Sequence, residues 1–586
     1  MSENRARDLS RRTFLKGTAA GAVAASLGTA TSAAWMAPAA AAELPPMPPH
    51  GAELRGMDLV VESPTTEGRF GFMFKSQPRL SASDTLLDRL GATMEEQPVV
   101  GSGGATNNDN DAFNENPNPK LTSGFTFVGQ FVDHDITFDT TTLSDQESDP
   151  DATTNFRTPR YDLDAIYGRG PNADPQFYDP DDRDKFKLVR TDYSTIRTDN
   201  LKTQQTLYDV PRLDPDENGK AKAIIADPRN DQTLIVLQIH VAMQRFHNKL
   251  VDTLRASGTP RSAVFEAARR LARWHYQWMV THEFIPAIVG QTMSDSVYLE
   301  TSKAPKITLK YYKPTNPAGR AFIPVEFAVA AYRFGHSMTR PRYTVQDYVY
   351  VDAAGNELTR AVSSVPLFEA TPTDNNLNGS RALPPRLKIQ WSKFFNEPNK
   401  APTARPVRQF DASLGGPLFR MPVTALPDSN ELALLSQRNL RRGRKMGLPS
   451  GQKVAQLMGV TPLTNAQLGQ NYRIKVTVPI QNNVVNVISE GAEPNDSLKT
   501  ELADPGWEGG APLWFYILKE AELIGKGRTL GPVGGRIVAE VLVGLLSKDP
   551  NSYLALNPSW KPAPPVTPVR GRFTMADLLT FAGAWS

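Results

Sequence analysis

The segment Gly129-Gln130-Phe131-Val132-Asp133-His134-Asp135 places one imidazole between two carboxylates. Flanking carboxylates raise the pKa of a histidine unless they are committed to other partners. A second histidine closes the segment Ala331-Tyr332-Arg333-Phe334-Gly335-His336, late in an apolar stretch. A lone helical histidine is most often a hydrogen-bonded core residue, and spacing alone does not connect His134 with His336. The chain has only seven histidines, so histidine chemistry is easy to enumerate.

The charge and cysteine content exclude several classes of function. The 586 residues include 65 Lys and Arg against 62 Asp and Glu, and the whole excess of +3 lies in residues 1–42. The balanced remainder argues against a nucleic-acid binder and against a highly charged, disordered chain. The chain has no cysteine. Disulfides, thiolate-ligated haem, iron–sulfur clusters and cysteine nucleophiles are therefore excluded.

Residues 1–42 resemble a twin-arginine (Tat) secretion signal. Arg11-Arg12 precedes a mildly apolar run rich in Ala and Gly, which ends in small residues near Ala42. The alternative is an N-terminal membrane anchor, which the Ala- and Gly-rich composition disfavours. No other segment reaches about 18 uninterrupted apolar residues, so we expect no transmembrane segment in the mature chain. The resemblance implies the Tat translocase as a partner and a secreted or periplasmic location.

The rest of the chain is predicted to be mainly α, as one large helical domain with long loops and minor β-structure. Residues 43–120 are rich in Pro, Gly, Asn and Asp and are interpreted as an extended arm and loops, followed by a catalytic domain over residues 121–586. Apolar periodicity predicts helices over residues 233–254, 261–289, 325–338, 428–438, 513–523 and 534–546. Minor strands are predicted over residues 306–311 and 472–478.

Gly-Gln-x-x-Asp-His-Asp, followed much later by Tyr-Arg-Phe-Gly-His, resembles the animal haem peroxidase superfamily in its bacterial form. The resemblance extends over roughly residues 100–550 and implies a haem peroxidase-like helical domain with a b-type haem. It makes His134 the distal acid/base, with Gln130 beside it, and His336 the axial ligand of the haem iron. A neutral imidazole above the iron can take a proton from one oxygen of H2O2 and return it to the other.

Two further motifs match the family. The Asp-x-Arg element at Asp227-Pro228-Arg229 implies that Arg229 stabilises the charge that develops as the O–O bond breaks. An Asn-x-x-Arg-x-Arg element begins at Asn439, and it implies that Asn439 accepts the ring N–H of His336 and that Arg442 pairs with a haem propionate. Arg333 is a second propionate candidate. The alternative for the basic cluster at residues 438–444 is an anion- or RNA-binding surface.

The segment 157–168 matches the family's calcium loop. Hard cations prefer six to eight oxygen ligands, which alternate residues of a turn can supply. The resemblance implies a Ca2+ site held by Thr158, the Arg160 carbonyl, Asp162 and Asp164, with Asp135 reaching over from the distal segment. Calcium would then position the neighbouring His134.

The family often esterifies haem methyls through an aspartate beside the distal histidine and a glutamate three residues after the distal arginine. Asp133 fits the first position. The second position is Gln232, whose amide cannot form that ester, and the position of a further covalent bond in some members is Thr233. We therefore expect haem b with at most one ester link, through Asp133.

The resemblance predicts a secreted haem peroxidase that uses H2O2 to oxidise a small reducing substrate such as a halide, thiocyanate or a phenol. One alternative is a fatty-acid dioxygenase of the same superfamily. Those enzymes use a tyrosine three residues before the proximal histidine, where this chain has Arg333, with Tyr332 one residue earlier. The other alternative is a silent matrix or adhesion protein, which would be expected to lose His134 or Arg229. The sequence does not name the reducing substrate.

Overall fold

The computed structural model describes residues 70–74, 77–96, 117–138, 157–196, 202–217, 219–315, 321–346, 349–351, 357–359, 365–369, 373, 375–398, 400–419, 434–477 and 486–585. The predicted signal peptide and residues 43–69 of the predicted arm lie outside these ranges.

Helices dominate the described chain. The α-helices are α1 Asp84–Ala92, α2 Gly124–Ile136, α3 Asp164–Tyr167, α4 Leu234–Ala256, α5 Arg261–Met279, α6 Ile285–Val289, α7 Gln291–Val297, α8 Gly335–Met338, α9 Gly416–Phe419, α10 Leu435–Lys445, α11 Gly451–Leu457, α12 Asn465–Leu468, α13 Asp496–Leu502, α14 Leu513–Leu523, α15 Pro532–Lys548, α16 Tyr553–Leu556 and α17 Met575–Phe581. Two π-turns span Val280–Phe284 and Glu326–Ala330. Short 3-10 turns span Pro175–Phe177, Pro228–Asp231, Ala331–Phe334, Pro385–Leu387, Trp391–Lys393 and Pro505–Trp507.

The β-structure is minor and antiparallel. The strands are β1 Pro117–Thr122, β2 Val189–Ile196, β3 Lys202–Asp209, β4 Tyr298–Leu299, β5 Lys306–Ile307, β6 Arg342–Tyr343, β7 Val349–Val351, β8 Glu357–Thr359, β9 Val365–Pro366, β10 Pro406–Arg408, β11 Gln470–Thr477 and β12 Asn486–Pro494. Four of them form the sheet β3-β2-β7-β8, and the others pair as β1-β10, β4-β5, β6-β9 and β11-β12. The strands are short and fewer residues belong to them than to the helices, so the fold is mainly α, as predicted.

One hydrophobic core runs through the described residues, from Phe70 to Ala584. The long helices α4 and α5 pack against each other, and α2 packs across α4. Helix α14 is buried almost all round, including its charged residues Lys519, Glu520 and Glu522. The core therefore holds α2 and α4, which carry the distal residues, in direct contact.

Most predicted helices are confirmed. The prediction over 233–254 corresponds to α4, and 261–289 is α5 continued through a π-turn into α6. Residues 513–523 and 534–546 correspond to α14 and α15. Helix α10 runs from Leu435 to Lys445, beyond the predicted end at residue 438, and the predicted residues 428–433 lie outside the described ranges. The strand predictions correspond to β5 and β11, although β5 ends at Ile307.

The interpretation of residues 43–120 as arm and loops missed helix α1. Ser83 caps this helix, because its side chain accepts a hydrogen bond from the Leu86 backbone N–H. Leu86, Leu87 and Leu90 are buried in the common core, and α1 packs on α10. The described part of the predicted arm thus contributes to the core of the main domain.

Among the described residues, none of the helices combines the length and the apolar character needed to cross a bilayer.

Candidate active site

The predicted distal histidine, His134, lies on α2 and is buried. His134 is 4% exposed, and its Nδ1 lies 2.9 Å from Asn230 Oδ1. Burial lowers the pKa of His134 to about 4, and the nearby Arg229 guanidinium adds to this effect. Asp227 and the flanking Asp133 act in the opposite direction and raise this pKa, as the sequence expectation has it for a flanking carboxylate, but burial outweighs them. His134 is therefore a neutral imidazole near pH 7.

Arg229 lies beside His134, as the resemblance predicts. Its Nη2 donates to the His134 backbone carbonyl at 2.9 Å, and the guanidinium lies 4.4 Å from the centroid of the Phe138 ring. Asp227 accepts from Arg229 Nε at 3.1 Å and from Nη2 at 2.8 Å, and it also pairs with Arg157. Burial alone would raise the pKa of the Asp227 carboxyl, but the two guanidiniums hold it well below its usual range. A fully buried carboxylate therefore fixes the distal arginine.

The predicted ester positions also lie on the distal side. Gln130 Nε2 and Gln232 Oε1 are 3.5 Å apart, so the amide that replaces the family's glutamate faces the distal helix. Asp133 Oδ1 accepts from Thr137 Oγ1 at 3.0 Å and is half-buried. Thr233 caps α4, since its side chain accepts from a backbone N–H of the first turn. The structure thus assigns a helix-capping role to Thr233.

The proximal segment is irregular where the sequence predicts one regular helix. Residues 326–338 pass from a π-turn through a 3-10 turn into one turn of α-helix. Side chains form hydrogen bonds to backbone carbonyls that this irregular segment does not pair within a helix. Arg333 Nε donates to Ala328 O at 3.2 Å, and Trp514 Nε1 donates to Arg333 O at 3.2 Å. These bonds hold the turn that carries His336.

Asn439 reaches His336, as predicted, but with the opposite polarity. Asn439 Nδ2, not Oδ1, lies 3.0 Å from His336 Nδ1. The reason is Arg333, whose Nη1 donates to Asn439 Oδ1 at 2.8 Å. The prediction that Asn439 accepts the ring N–H is therefore not what the structure contains. Burial lowers the pKa of His336 to about 3, with contributions from Arg333 and Arg438, so the ring is neutral. Because Nδ1 accepts from the amide, the ring proton lies on Nε2, and iron binding at Nε2 requires the Asn439 amide to turn so that Oδ1 accepts from Nδ1.

The arginines of the basic helix α10 differ in whether they form ion pairs with other described residues. Arg441 and Arg444 form ion pairs with Asp88 and Asp84 of α1, which argues against an anion- or RNA-binding surface at these positions. The Arg442 side chain makes no hydrogen bond or ion pair with any residue in the described ranges. It is half-buried on the helix that carries Asn439, as expected for a cation that binds a propionate.

The distal and proximal segments meet although they are far apart in sequence. Tyr332 Oη donates to Gly129 O at 3.2 Å, across 203 residues. A Cβ built on Gly335 would meet no heavy atom within 4 Å apart from its chain neighbours, so space is open at this glycine. A neutral imidazole at His336, this open space, and Arg442, which has no side-chain partner among the described residues, fit the predicted haem and its propionates.

The predicted calcium residues largely converge. The carboxylate oxygens of Asp135, Asp162 and Asp164 lie within 4.8 Å of one another, and all three residues are buried. Burial and the other two carboxylates raise the pKa of Asp135 well above its usual range. Thr158 Oγ1 donates to Asp162 Oδ2 at 2.7 Å. Asp135 Oδ1 has no hydrogen-bond partner within the described chain. A hard cation fits this cluster of oxygens.

The turn through this cluster is strained. Leu163, between the two loop aspartates, adopts a left-handed φ of 57°, and its N–H donates to Asp135 Oδ2 at 3.3 Å. For a residue other than glycine this conformation costs about 1–2 kcal/mol. Such strain persists only where the surroundings over-determine it, and it clusters at functional sites.

Sequence reasoning missed three residues of the site. The motif match gives no role to Asp227, Asn230 or His240. Their roles depend on which atoms meet in three dimensions. The available signal is that Asp227 and Asn230 lie within two residues of Arg229 and that His240 lies on the helix that follows.

Comparison with known proteins agrees with this geometry. Residues 142–474 match the family model described as animal haem peroxidase, and residues 8–28 match the TAT (twin-arginine translocation) pathway signal sequence. The first match includes Arg229, His336 and Asn439 but begins after His134. The signal directs export by the twin-arginine pathway to the periplasm or the extracellular space.

Individual relatives are distant. Chorion peroxidase of Drosophila melanogaster is 26% identical over 253 residues, which are 42% of this chain and 27% of that protein. Thyroid peroxidase of Sus scrofa is 26% identical over 245 residues, 41% of this chain and 23% of that protein. The chain thus spans less than a third of the length of these relatives.

A solved fatty acid alpha-dioxygenase of Oryza sativa superposes with a TM-score of 0.50 at 13% identity, covering 87% of this chain and 78% of that one. Peroxidase A of Dictyostelium discoideum gives a TM-score of 0.49 at 15% identity, covering 88% and 91%. The dioxygenase likeness concerns the fold alone. Because the family model covers more than half of the sequence, the protein belongs to the animal haem peroxidase family.

Proposed function

We propose that this chain is an exported haem peroxidase that reduces H2O2 at a His336-ligated b-type haem and oxidises a small donor such as a halide, thiocyanate or a phenol. One observation carries the proposal. A neutral, buried His134 is held through Nδ1, with Arg229 fixed on its backbone carbonyl, in a helix that contacts the segment of His336.

Each residue has a defined task. His134 Nε2 takes a proton from one oxygen of H2O2 and returns it to the departing oxygen, which leaves as water. Arg229 stabilises the negative charge that develops on the departing oxygen. Haem, when bound, supplies the two electrons that cleave the O–O bond, and the donor substrate replaces them. His336 would hold the iron, and Arg442 and Arg333 are the propionate partners.

Calcium and the covalent link complete the proposal. Ca2+ would be held by Asp135, Asp162 and Asp164 with the Thr158 hydroxyl and the Arg160 carbonyl, and it would fix the end of α2 next to His134. Asp133 is the candidate for a single ester to haem, because Gln232 offers no second carboxylate.

The fatty-acid dioxygenase alternative is less well supported. The position three residues before His336 is Arg333, whose guanidinium binds Asn439. The neighbouring Tyr332 does not take the place of that tyrosine, because it lies four residues before His336 and its hydroxyl donates to Gly129 O. Oxygen uptake with a fatty acid, measured against guaiacol turnover with H2O2, separates the two activities. A silent matrix protein would show neither activity.

The first test is an absorption spectrum of the chain produced with haem supplied. We expect a Soret band that is lost in His336→Ala and kept in His282→Ala. His282 is a suitable control because its ring stacks on Trp278 and its Nε2 lies within hydrogen-bond distance of the Glu300 carboxylate, and neither residue belongs to the site. H2O2 with guaiacol should then give turnover that His134→Ala abolishes. A Soret band indifferent to His336 would refute the assigned ligand.

A further inference from the structure

A buried chain of side chains continues behind the distal histidine. Asn230 Oδ1 lies 2.9 Å from His134 Nδ1, and Asn230 Nδ2 lies 3.1 Å from His240 Nδ1. Asn230 and His240 are fully buried, and His134 nearly so. Asn230 is held in place by its own backbone, since its N–H donates to Asp227 O at 3.1 Å in the 3-10 turn that carries Arg229.

The amide gives this chain a direction. A side-chain amide has one acceptor, Oδ1, and one donor group, Nδ2, on opposite sides. Because Oδ1 faces His134 Nδ1, that nitrogen must carry a proton. Because Nδ2 faces His240 Nδ1, that nitrogen must carry none. The two buried imidazoles therefore occupy opposite tautomers.

We infer that Asn230 and His240 are positioning residues that fix His134 as its Nδ1–H tautomer and so keep the lone pair on Nε2. His134 Nε2 makes no hydrogen bond within the described part of the chain, so that lone pair is available to a proton from outside the protein. His240 Nδ1 accepts from the amide Nδ2, which leaves Oδ1 to accept from His134 Nδ1. The inference rests on the proposed function only in giving Nε2 the role of proton acceptor.

The same protein contains reference histidines for both tautomers. His275 Nδ1 lies 2.7 Å from Leu271 O, and a carbonyl only accepts, so His275 is Nδ1–H. His247 Nε2 lies 2.8 Å from Asp184 O, so His247 is Nε2–H. Both are fully buried. Their signals also report whether a variant is folded.

The experiment records long-range 15N–1H correlations of the full chain labelled with 15N-histidine, both haem-free and loaded with zinc protoporphyrin, which is diamagnetic. We expect His134 to match His275 and His240 to match His247. In Asn230→Asp, a carboxylate accepts from both rings. His134 should then stay Nδ1–H, while His240 changes to Nδ1–H.

Two more variants remove the constraint. In Asn230→Leu, and to a smaller extent in His240→Phe, the His134 tautomer ratio should shift toward Nε2–H, by roughly tenfold for the loss of one buried hydrogen bond. With haem bound, the rate constant for reaction with H2O2 should fall in proportion to the remaining Nδ1–H fraction. Asn230→Asp should retain it, which a purely structural role would not predict. His275→Phe is the matched control and should change neither readout.

An Nε2–H signal for His134 in the natural chain would overturn the inference, because the amide would then face the other way. An unchanged His134 tautomer in Asn230→Leu would overturn it as well. If Asn230→Leu does not fold, the His134 tautomer measured in the natural chain and in His240→Phe decides the question. A chain with the expected tautomers that binds no haem would refute the proposed peroxidase and leave the tautomer assignment standing.

Discussion

From the carboxylate cluster we predict that removing one of its charges lowers the unfolding temperature in the presence of Ca2+ and raises it when Ca2+ is removed. Asp135, Asp162 and Asp164 bring their oxygens within 4.8 Å of one another in a buried site. At that distance each pair of charges repels by about 3.5 kcal/mol, with an effective dielectric constant of about 20. Arg157 Nη1, 3.6 Å from Asp164 Oδ1, offsets part of this repulsion but is shared with Asp227.

Asp135→Asn is the informative change. It removes two of the three repelling pairs, a gross relief of about 7 kcal/mol before relaxation and proton uptake. It also removes one ligand charge from the cation. With excess EGTA we expect the variant to unfold at a higher temperature than the natural chain, by about 2 °C or more. With millimolar Ca2+ the order should reverse, because a cation at about 100 times its Kd stabilises the natural chain by about 2.7 kcal/mol.

The assay is thermal unfolding by calorimetry at pH 8, with and without the chelator. Asp174→Asn is the matched control, because Asp174 is a buried aspartate of the same region that pairs with Arg169 and lies outside the cluster. It should lower the unfolding temperature equally under both conditions. If Asp135→Asn is less stable than the natural chain in EGTA as well as in Ca2+, the electrostatic reasoning is refuted.

Three further perturbations have defined outcomes. Asp227→Asn should cost about 3–5 kcal/mol in a urea titration, because Arg157 and Arg229 lose the buried carboxylate charge that they share. Burial raises the pKa of Glu520 to about 7, so the folded chain binds a proton here more tightly than the unfolded chain. The free energy of unfolding is therefore highest below the unfolded pKa near 4.5 and falls as the pH rises to about 7. The loss is about 3 kcal/mol, and Glu520→Gln should flatten it between pH 4 and pH 8. Asn439→Asp should lower the iron midpoint potential of the haem-loaded chain in spectroelectrochemistry, because a carboxylate accepts the His336 N–H whichever way the amide faces.

The long helices could be predicted because one face or the whole circumference of each is buried, which leaves a pattern of apolar residues in the sequence. Helix α4 shows apolar residues at helical spacing along its whole length, and Thr233 marks its start. Helix α1 could not be found in this way, because its three leucines acquire a partner only when α10 lies across them. The extension of α10 to Lys445 was missed for a related reason, since its charged end is stabilised by Asp84 and Asp88 of α1.

The site was predicted to the level of residue types but not of hydrogen-bond polarity. A motif match names His336 and Asn439, and the structure brings them together. Which amide atom faces the ring depends on Arg333, which lies on a 3-10 turn that apolar periodicity does not distinguish from a regular helix. The same holds for Asn230, whose function follows from the two rings it separates.

The distal site and the carboxylate cluster form one electrostatic unit. Arg157 binds Asp227 on one side and approaches Asp164 of the cluster on the other. Asp227 in turn holds Arg229, and Arg229 donates to the backbone carbonyl of His134. In a low-dielectric interior such a chain polarises as a whole, so a change of charge in the cluster alters how tightly Asp227 holds each arginine. A cation bound by the proposed calcium residues would compete with Arg157 for Asp164 and direct that guanidinium toward Asp227, which would weaken the ion pair between Asp227 and Arg229. Binding of the cation and the position of Arg229 would therefore be coupled through two buried side chains, Arg157 and Asp227.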